Sequence, residues 1–109
     1  VIEVVIDRSG DSYKGFEVKG HSGYNEEGSD IVCAAVSILS YTVLNSLEVV
    51  AGVNLDDIDW SVDEKTGFMK ILLQKICPES NILFKTFEMG IKLLLENYSQ
   101  YISLDYKEV

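Results

Sequence analysis

Two residues of this chain have side chains suited to nucleophilic chemistry at a short spacing: His21, the only histidine among 109 residues, and Cys33, one of two cysteines. Between them lie Ser22, Gly23, Tyr24, Asn25, Glu26, Glu27, Gly28, Ser29 and Asp30, and Gly20 stands just before the histidine. A thiol attacks only as thiolate, and an ordinary cysteine, with a pKa of about 8.5, is mostly protonated at neutral pH. A base, a glycine-rich loop and a thiol near a helix start are the parts of a cysteine nucleophile site.

Ser29 or Asp30 is expected to cap a helix from about Ile31 to Ala51, ended by Gly52. Cys33 then lies in its first turn. A helix start contributes about 0.3–1 kcal/mol toward a negative charge, which is less than one pKa unit. By itself that does not generate a thiolate, and Glu26, Glu27 and Asp30 oppose it. No Lys or Arg occurs from Gly20 to Glu64, so His21 is the local candidate for the positive partner. The loop must bring His21 to Cys33 for this to work. Asp30 has two readings, as the cap or as the group that orients His21. Ser37 lies one turn beyond Cys33 on the same face, where it can bond to the histidine, the loop or its own helix backbone. The N–H groups of the first turn, including that of Cys33, are expected to be unpaired in the helix and available to an oxyanion.

Each residue also has a plainer reading. A cysteine in an apolar helix is commonly a small buried hydrophobe, and a lone histidine after a strand is commonly a surface residue. Cys77, before Pro78, has no base near it in sequence and reads as structural. Two cysteines and one histidine do not make a zinc ligand set, and neither metal nor cofactor is expected.

The net charge is −9, and it is unevenly placed. Residues 20 to 64 hold nine acids and no base, while the rest holds nine acids and nine bases, so the middle carries the whole excess. This disfavours direct nucleic-acid binding and favours approach of a basic partner. Two cysteines are too few for a disulfide framework, so reduced thiols in a cytoplasm are expected. The chain opens directly on an alternating strand, with no signal-peptide pattern. The longest near-apolar stretch, Ile31 to Gly52, is interrupted by Ser37, Ser40, Thr42, Asn45, Ser46 and Glu48, and is not expected to span a membrane.

The elements that must position the site follow from periodicity. Ile2, Val4 and Ile6 alternate with Glu3 and Asp7, which predicts a strand with the first three inward. A turn at residues 9–12 leads to a second strand, Tyr13 to Lys19, with Phe16 and Val18 inward. His21 thus follows the end of a strand. The helix after the loop is apolar almost all round, so it is central or is covered by a partner chain. Residues 57–63 alternate, with Ile58, Trp60 and Val62 inward, and a turn at 63–67 leads to a strand at 68–75. A second helix spans about Ser80 to Asn97, with Leu83, Phe84, Phe87, Ile91, Leu94, Leu95 and Tyr98 on one face. Tyr101 to Lys107 is the last strand. The order ββαββαβ predicts one α+β domain over residues 1–109, a mixed α/β sandwich of one sheet with two helices packed on it.

The segments Gly20-His21-Ser22-Gly23-Tyr24 and Gly28-Ser29-Asp30-Ile31-Val32-Cys33-Ala34-Ala35-Val36-Ser37 resemble the ribosomal-processing cysteine protease (Prp) family, and the similarity extends over the whole chain in length and element order. The resemblance implies a cysteine protease with His21 and Cys33 catalytic. It implies supporting roles for Gly20, Asp30 and Ser37, and a substrate loop containing Ser22, Gly23, Tyr24 and Gly28. It further implies a homodimer in the bacterial cytoplasm. The implied substrate is the N-terminal extension of a large-subunit ribosomal protein, cut after a hydrophobic segment ending in an aromatic residue. The alternative from another class is a non-catalytic ribosome-associated binding module.

Overall fold

The computed structural model describes residues 1–20 and 29–109, the side chains of Ser29 and Asp30 excepted. Strand β1 (Ile2–Ser9) and strand β2 (Ser12–Lys19) form a hairpin closed by Gly10 and Asp11. Gly10 has φ +60°, a conformation that a tight two-residue hairpin turn requires and glycine adopts without strain. Helix α1 runs over Ser29–Val49. A 3-10 turn, Leu55–Asp57, leads into strand β3 (Ile58–Asp63), which pairs with strand β4 (Phe68–Leu73). Helix α2 (Pro78–Tyr98) and strand β5 (Ile102–Glu108) complete the chain.

The five strands are ordered β3-β4-β2-β1-β5. Every neighbouring pair is antiparallel except β1 and β5, which run parallel after the α2 crossover. The inward residues of β1, Ile2, Val4 and Ile6, are buried, as are Phe16 and Val18 on β2 and Met69, Ile71 and Leu73 on β4. Val32, Val36, Val43 and Leu47 of α1 and Phe84, Phe87 and Ile91 of α2 belong to the same cluster, so both helices cover one face of the sheet. Phe16 stacks on Phe87 at 3.9 Å between ring centroids and meets Phe84 edge-on at 6.1 Å. The predicted α+β architecture is the observed one.

Several details differ from the sequence reading. Helix α1 begins at Ser29, so Ser29 and Asp30 are its first residues instead of its cap. Residues 31–49 of that helix are also long and apolar enough to cross a membrane, contrary to expectation. Serine, threonine and asparagine interrupt apolarity without adding charge, and Glu48 is the one charged residue in that stretch. Here the helix instead contributes four fully or nearly buried side chains to the core. Trp60 was expected inside. It does share the helix-side face, opposite Ile71, but it is 57% exposed because β3 lies at the sheet's edge. Asp7 was expected outside, and it is only 3% exposed, in register with Gly15 and Lys107. Burial raises its pKa, Lys70 and Lys107 hold the rise down, and Glu17 adds to it.

A register shift between Asp7 and Arg8 places Arg8 opposite Tyr13 and leaves Lys14 as an extra residue on β2. Such a bulge reverses the alternation beyond it, and Tyr13 turns inward. Its hydroxyl donates to Glu88 Oε1 on α2 at 2.8 Å, and the Tyr106 hydroxyl from β5 donates to Oε2. The Arg8 guanidinium lies over the Tyr13 ring, 5.1 Å from its centroid. One carboxylate thus fastens α2 to two strands. Burial alone would raise the Glu88 pKa, but the hydrogen bonds from Tyr106 and Tyr13, with Lys92 and Arg8, outweigh it and bring it below the usual 4.5. A carboxyl depressed in the folded state stabilises above its unfolded pKa and loses that contribution as pH falls through the folded value. Acid titration below about pH 4.5 should therefore lower the unfolding free energy of the native protein more steeply than that of Glu88→Gln. At the other limit, burial and the bond to Glu88 push Tyr106 up to about 12. Its contribution is present below the ordinary tyrosine pKa of about 10 and fades as pH rises toward the folded value. Chemical denaturation of both proteins across pH checks both limits.

Cys77 caps α2. Its Sγ accepts from Ser80 N at 3.4 Å, and Cys77 N donates to Ser80 Oγ at 3.2 Å, a reciprocal capping box with a thiol in the usual hydroxyl position. Pro78 at the helix start has no N–H to leave unpaired. Cys77→Ser is expected to keep or slightly strengthen the cap, and Cys77→Ala to lose about 1 kcal/mol, read by thermal melting.

Candidate active site

The route to the site starts at Gly20, where β2 ends. Gly20 has φ +99°, and a Cβ there would lie 2.7 Å from the Val1 carbonyl oxygen. Only glycine lets the chain leave the strand so close to Val1. Across from it, the first turns of α1 present Cys33 and Ser37 on one face. Gly20, Cys33 and Ser37 all line a single cavity of about 260 Å³. Cys33 is half-buried, and Ser37 is exposed. Three of the residues singled out from the sequence therefore meet.

His21, Ser22, Gly23, Tyr24 and Gly28 lie outside the described residues, and so does the Asp30 side chain. The helix start does bear on the backbone donors. With α1 beginning at Ser29, the helical N–H groups that precede the intrahelical bonds are those of residues 29–31. The Cys33 N–H falls after them, with the Ser29 carbonyl four residues before it as its helical acceptor, so the expectation that it is unpaired within the helix is not met.

Most of the cavity is apolar. Ile2 and Val18 supply one wall, Val36 and Tyr41 another, and Val62, Phe68 and Met69 from the β3–β4 hairpin a third. Asp63 and Glu64 stand at the hairpin turn and line it too. Ser40, also lining it, donates from Oγ to the Val36 carbonyl oxygen at 2.7 Å, so its hydroxyl is already engaged with its own helix. The hairpin residues were not singled out from the sequence. No local pattern marks them, because they reach Cys33 only through the placement of β4 beside β2. An apolar recess with a thiol on its wall can seat one large apolar side chain and hold the adjoining backbone against the sulfur.

Residues 1–103 match the family model for cysteine protease Prp. This chain belongs to the Prp family. The ribosomal processing cysteine protease Prp of Staphylococcus aureus is 27% identical over 89 residues, 81% of either chain. The Prp of Bacillus subtilis is 38% identical over 53 residues, 48% of this chain and 47% of that one. Among solved structures, SMU.848 from Streptococcus mutans superposes with a TM-score of 0.85 at 33% identity, covering 100% of this chain and 99% of that one. S. aureus Prp, solved in complex with a substrate peptide, superposes with a TM-score of 0.79 at 23% identity, covering 98% and 100%, and shows that the fold is shared. The protein is thus a cysteine protease of a family involved in ribosomal processing. Of the two cysteines, Cys33 is the one that lines the cavity.

Proposed function

We propose that this protease removes the N-terminal extension of a bacterial large-subunit ribosomal protein, using Cys33 as nucleophile and His21 as base. The observation that carries the reading is the shared cavity: Gly20, the chain neighbour of His21, lines it together with Cys33. The apolar walls suit a large hydrophobic or aromatic side chain at the cut. The acidic middle of the chain suits a basic ribosomal protein.

In the proposed reaction His21 takes the Cys33 proton, and the thiolate adds to the scissile carbonyl carbon. Backbone N–H groups near the helix start hold the oxyanion. The C–N bond breaks as His21 protonates the leaving amine, which is the new N-terminus of the mature protein. Water, deprotonated by His21, then cleaves the thioester and releases the extension as a carboxylate. Asp30 and Ser37 support the dyad, and the loop containing Ser22, Gly23, Tyr24 and Gly28 covers the peptide.

The enzyme acts as a homodimer in the cytoplasm on this proposal. Support for the dimer is the apolar surface of the helix layer, where Ile38 is 66% exposed on α1 and Ile82, Met89 and Leu93 are each more than half exposed on α2. Ile38→Asp is expected to shift the protein from dimer to monomer in sedimentation equilibrium.

The substrate is tested by incubation with a peptide spanning the junction between extension and mature protein, with products identified by mass. A single cut after the hydrophobic segment is expected. A peptide left intact by the active enzyme would remove this substrate.

A further inference from the structure

We infer that the outer edge of β3 is a docking strand for an extended, lysine- or arginine-rich segment of the substrate protein next to the scissile bond. The inference rests on the proposed peptide substrate and adds where its charged part lies.

β3 ends the described sheet on one side: β4 pairs with one of its edges, and no described strand pairs with the other. Its six residues extend over roughly 20 Å. An open strand edge offers a row of N–H and C=O groups, and an incoming extended segment can satisfy them as an added strand. Exposed edges are commonly blunted by lysine or proline, yet β3 contains neither. It carries instead Trp60, the only tryptophan of the chain, 57% exposed on the helix-side face. A large exposed aromatic beside an open edge gives apolar contact for lysine or arginine stems and a ring face for their cations.

Charge selects the occupant. Asp56, Asp57, Asp59, Asp63 and Glu64 flank or belong to this strand, with no base among residues 56–64. Three lysines stand around these five carboxylates: Lys65 in the turn that follows, Lys70 opposite Ser61 on the same face as Asp59 and Asp63, and Lys75 just past the end of β4. A basic segment is therefore attracted and an acidic one repelled. The strand also leads to the site. Val62 and Asp63 at its end line the cavity shared with Cys33, so a chain seated in the cavity is delivered to this edge.

The test uses the full-length Cys33→Ser protein, which binds without turnover, and two junction peptides. One carries lysines beside the scissile bond and the other has glutamine in their place. Trp60 reports directly, because no other tryptophan contributes to the emission. The lysine peptide is expected to give a saturable blue shift and to bind about tenfold more tightly than the glutamine peptide. In Asp59→Asn/Asp63→Asn, which keeps side-chain shape, that preference should fall to about twofold or less. N-methylation of alternate peptide residues should weaken binding in one phase of the alternation and leave the other unaffected. Equal affinities with unshifted emission would overturn the docking strand. Cleavage by the wild-type enzyme separates the two readings. Emission that shifts while neither peptide is cut leaves the docking strand standing and removes the proposed cleavage. Both peptides cut equally, with emission unshifted, removes the docking strand alone.

Discussion

Cys33→Ser is expected to lower kcat for peptide cleavage by at least about 10⁴-fold while the fold persists. The exchange replaces one sulfur with one oxygen on a half-buried wall of the cavity, so its cost in stability should stay below about 1 kcal/mol. The hydroxyl is a far weaker acid than a thiol, and in the proposed dyad a single histidine base does not activate it sufficiently. Residual turnover would reflect peptide binding and oxyanion stabilisation alone. Product mass analysis gives the rate, and a thermal melt confirms the fold. Alkylation with iodoacetamide adds a site-specific reading. Cys33 should label faster than Cys77, whose sulfur is engaged in the α2 cap, and His21→Ala should abolish the difference. Equal slow labelling of both thiols would count against the dyad.

Gly15→Ala is expected to cost more than about 3 kcal/mol, above the usual range for an overpacked site. In an ordinary strand this exchange is neutral or stabilising, because glycine has more backbone freedom to lose on folding. Here a Cβ would lie 1.9 Å from the Ile71 carbonyl oxygen, 2.9 Å from Ile71 C and 3.0 Å from Leu72 Cα. All three are backbone atoms of β4, so no side chain can turn aside. Relief requires opening the β2–β4 pairing, which runs from Gly15↔Leu72 to Val18↔Met69. That pairing also carries the β3–β4 hairpin to the cavity. Urea denaturation should show the stability loss, and the surviving folded fraction should have lower kcat/KM. A variant as stable as the wild type would contradict the close approach.

The elements and their order were legible because the signals are local. Ile2, Val4 and Ile6 alternate, Gly52 follows a long apolar helix, and the spacing of Phe84, Phe87 and Ile91 places them on one face of α2. These patterns act over a few residues and do not depend on what packs against them. Cys33 was legible in the same way, as a thiol in the opening turns of a helix. Boundaries were less so. The α2 helix was expected from Ser80 and starts at Pro78, because a cysteine cap is not among the usual cap signals. The start of α1 was placed two residues late for a related reason: serine and aspartate are favourable both as caps and in the first turn, so residue type does not separate the two.

What the tertiary structure alone decided is how distant segments meet. Alternation put Trp60 on the correct face of β3 but not at the sheet's rim, where that face is left uncovered. It put Asp7 on the outer face but did not foresee its burial. It did not foresee the bulge at Lys14 that turns Tyr13 toward Glu88. Nor did it bring Val62, Phe68 and Met69 to the thiol. Each of these depends on strand order and register, which are settled by the packing of whole faces against two helices. By itself the sequence determined a thiol, a histidine and a ββαββαβ frame. The cavity beside Cys33 exists because β4 lies next to β2, and no stretch of residues short enough to read locally contains that pairing.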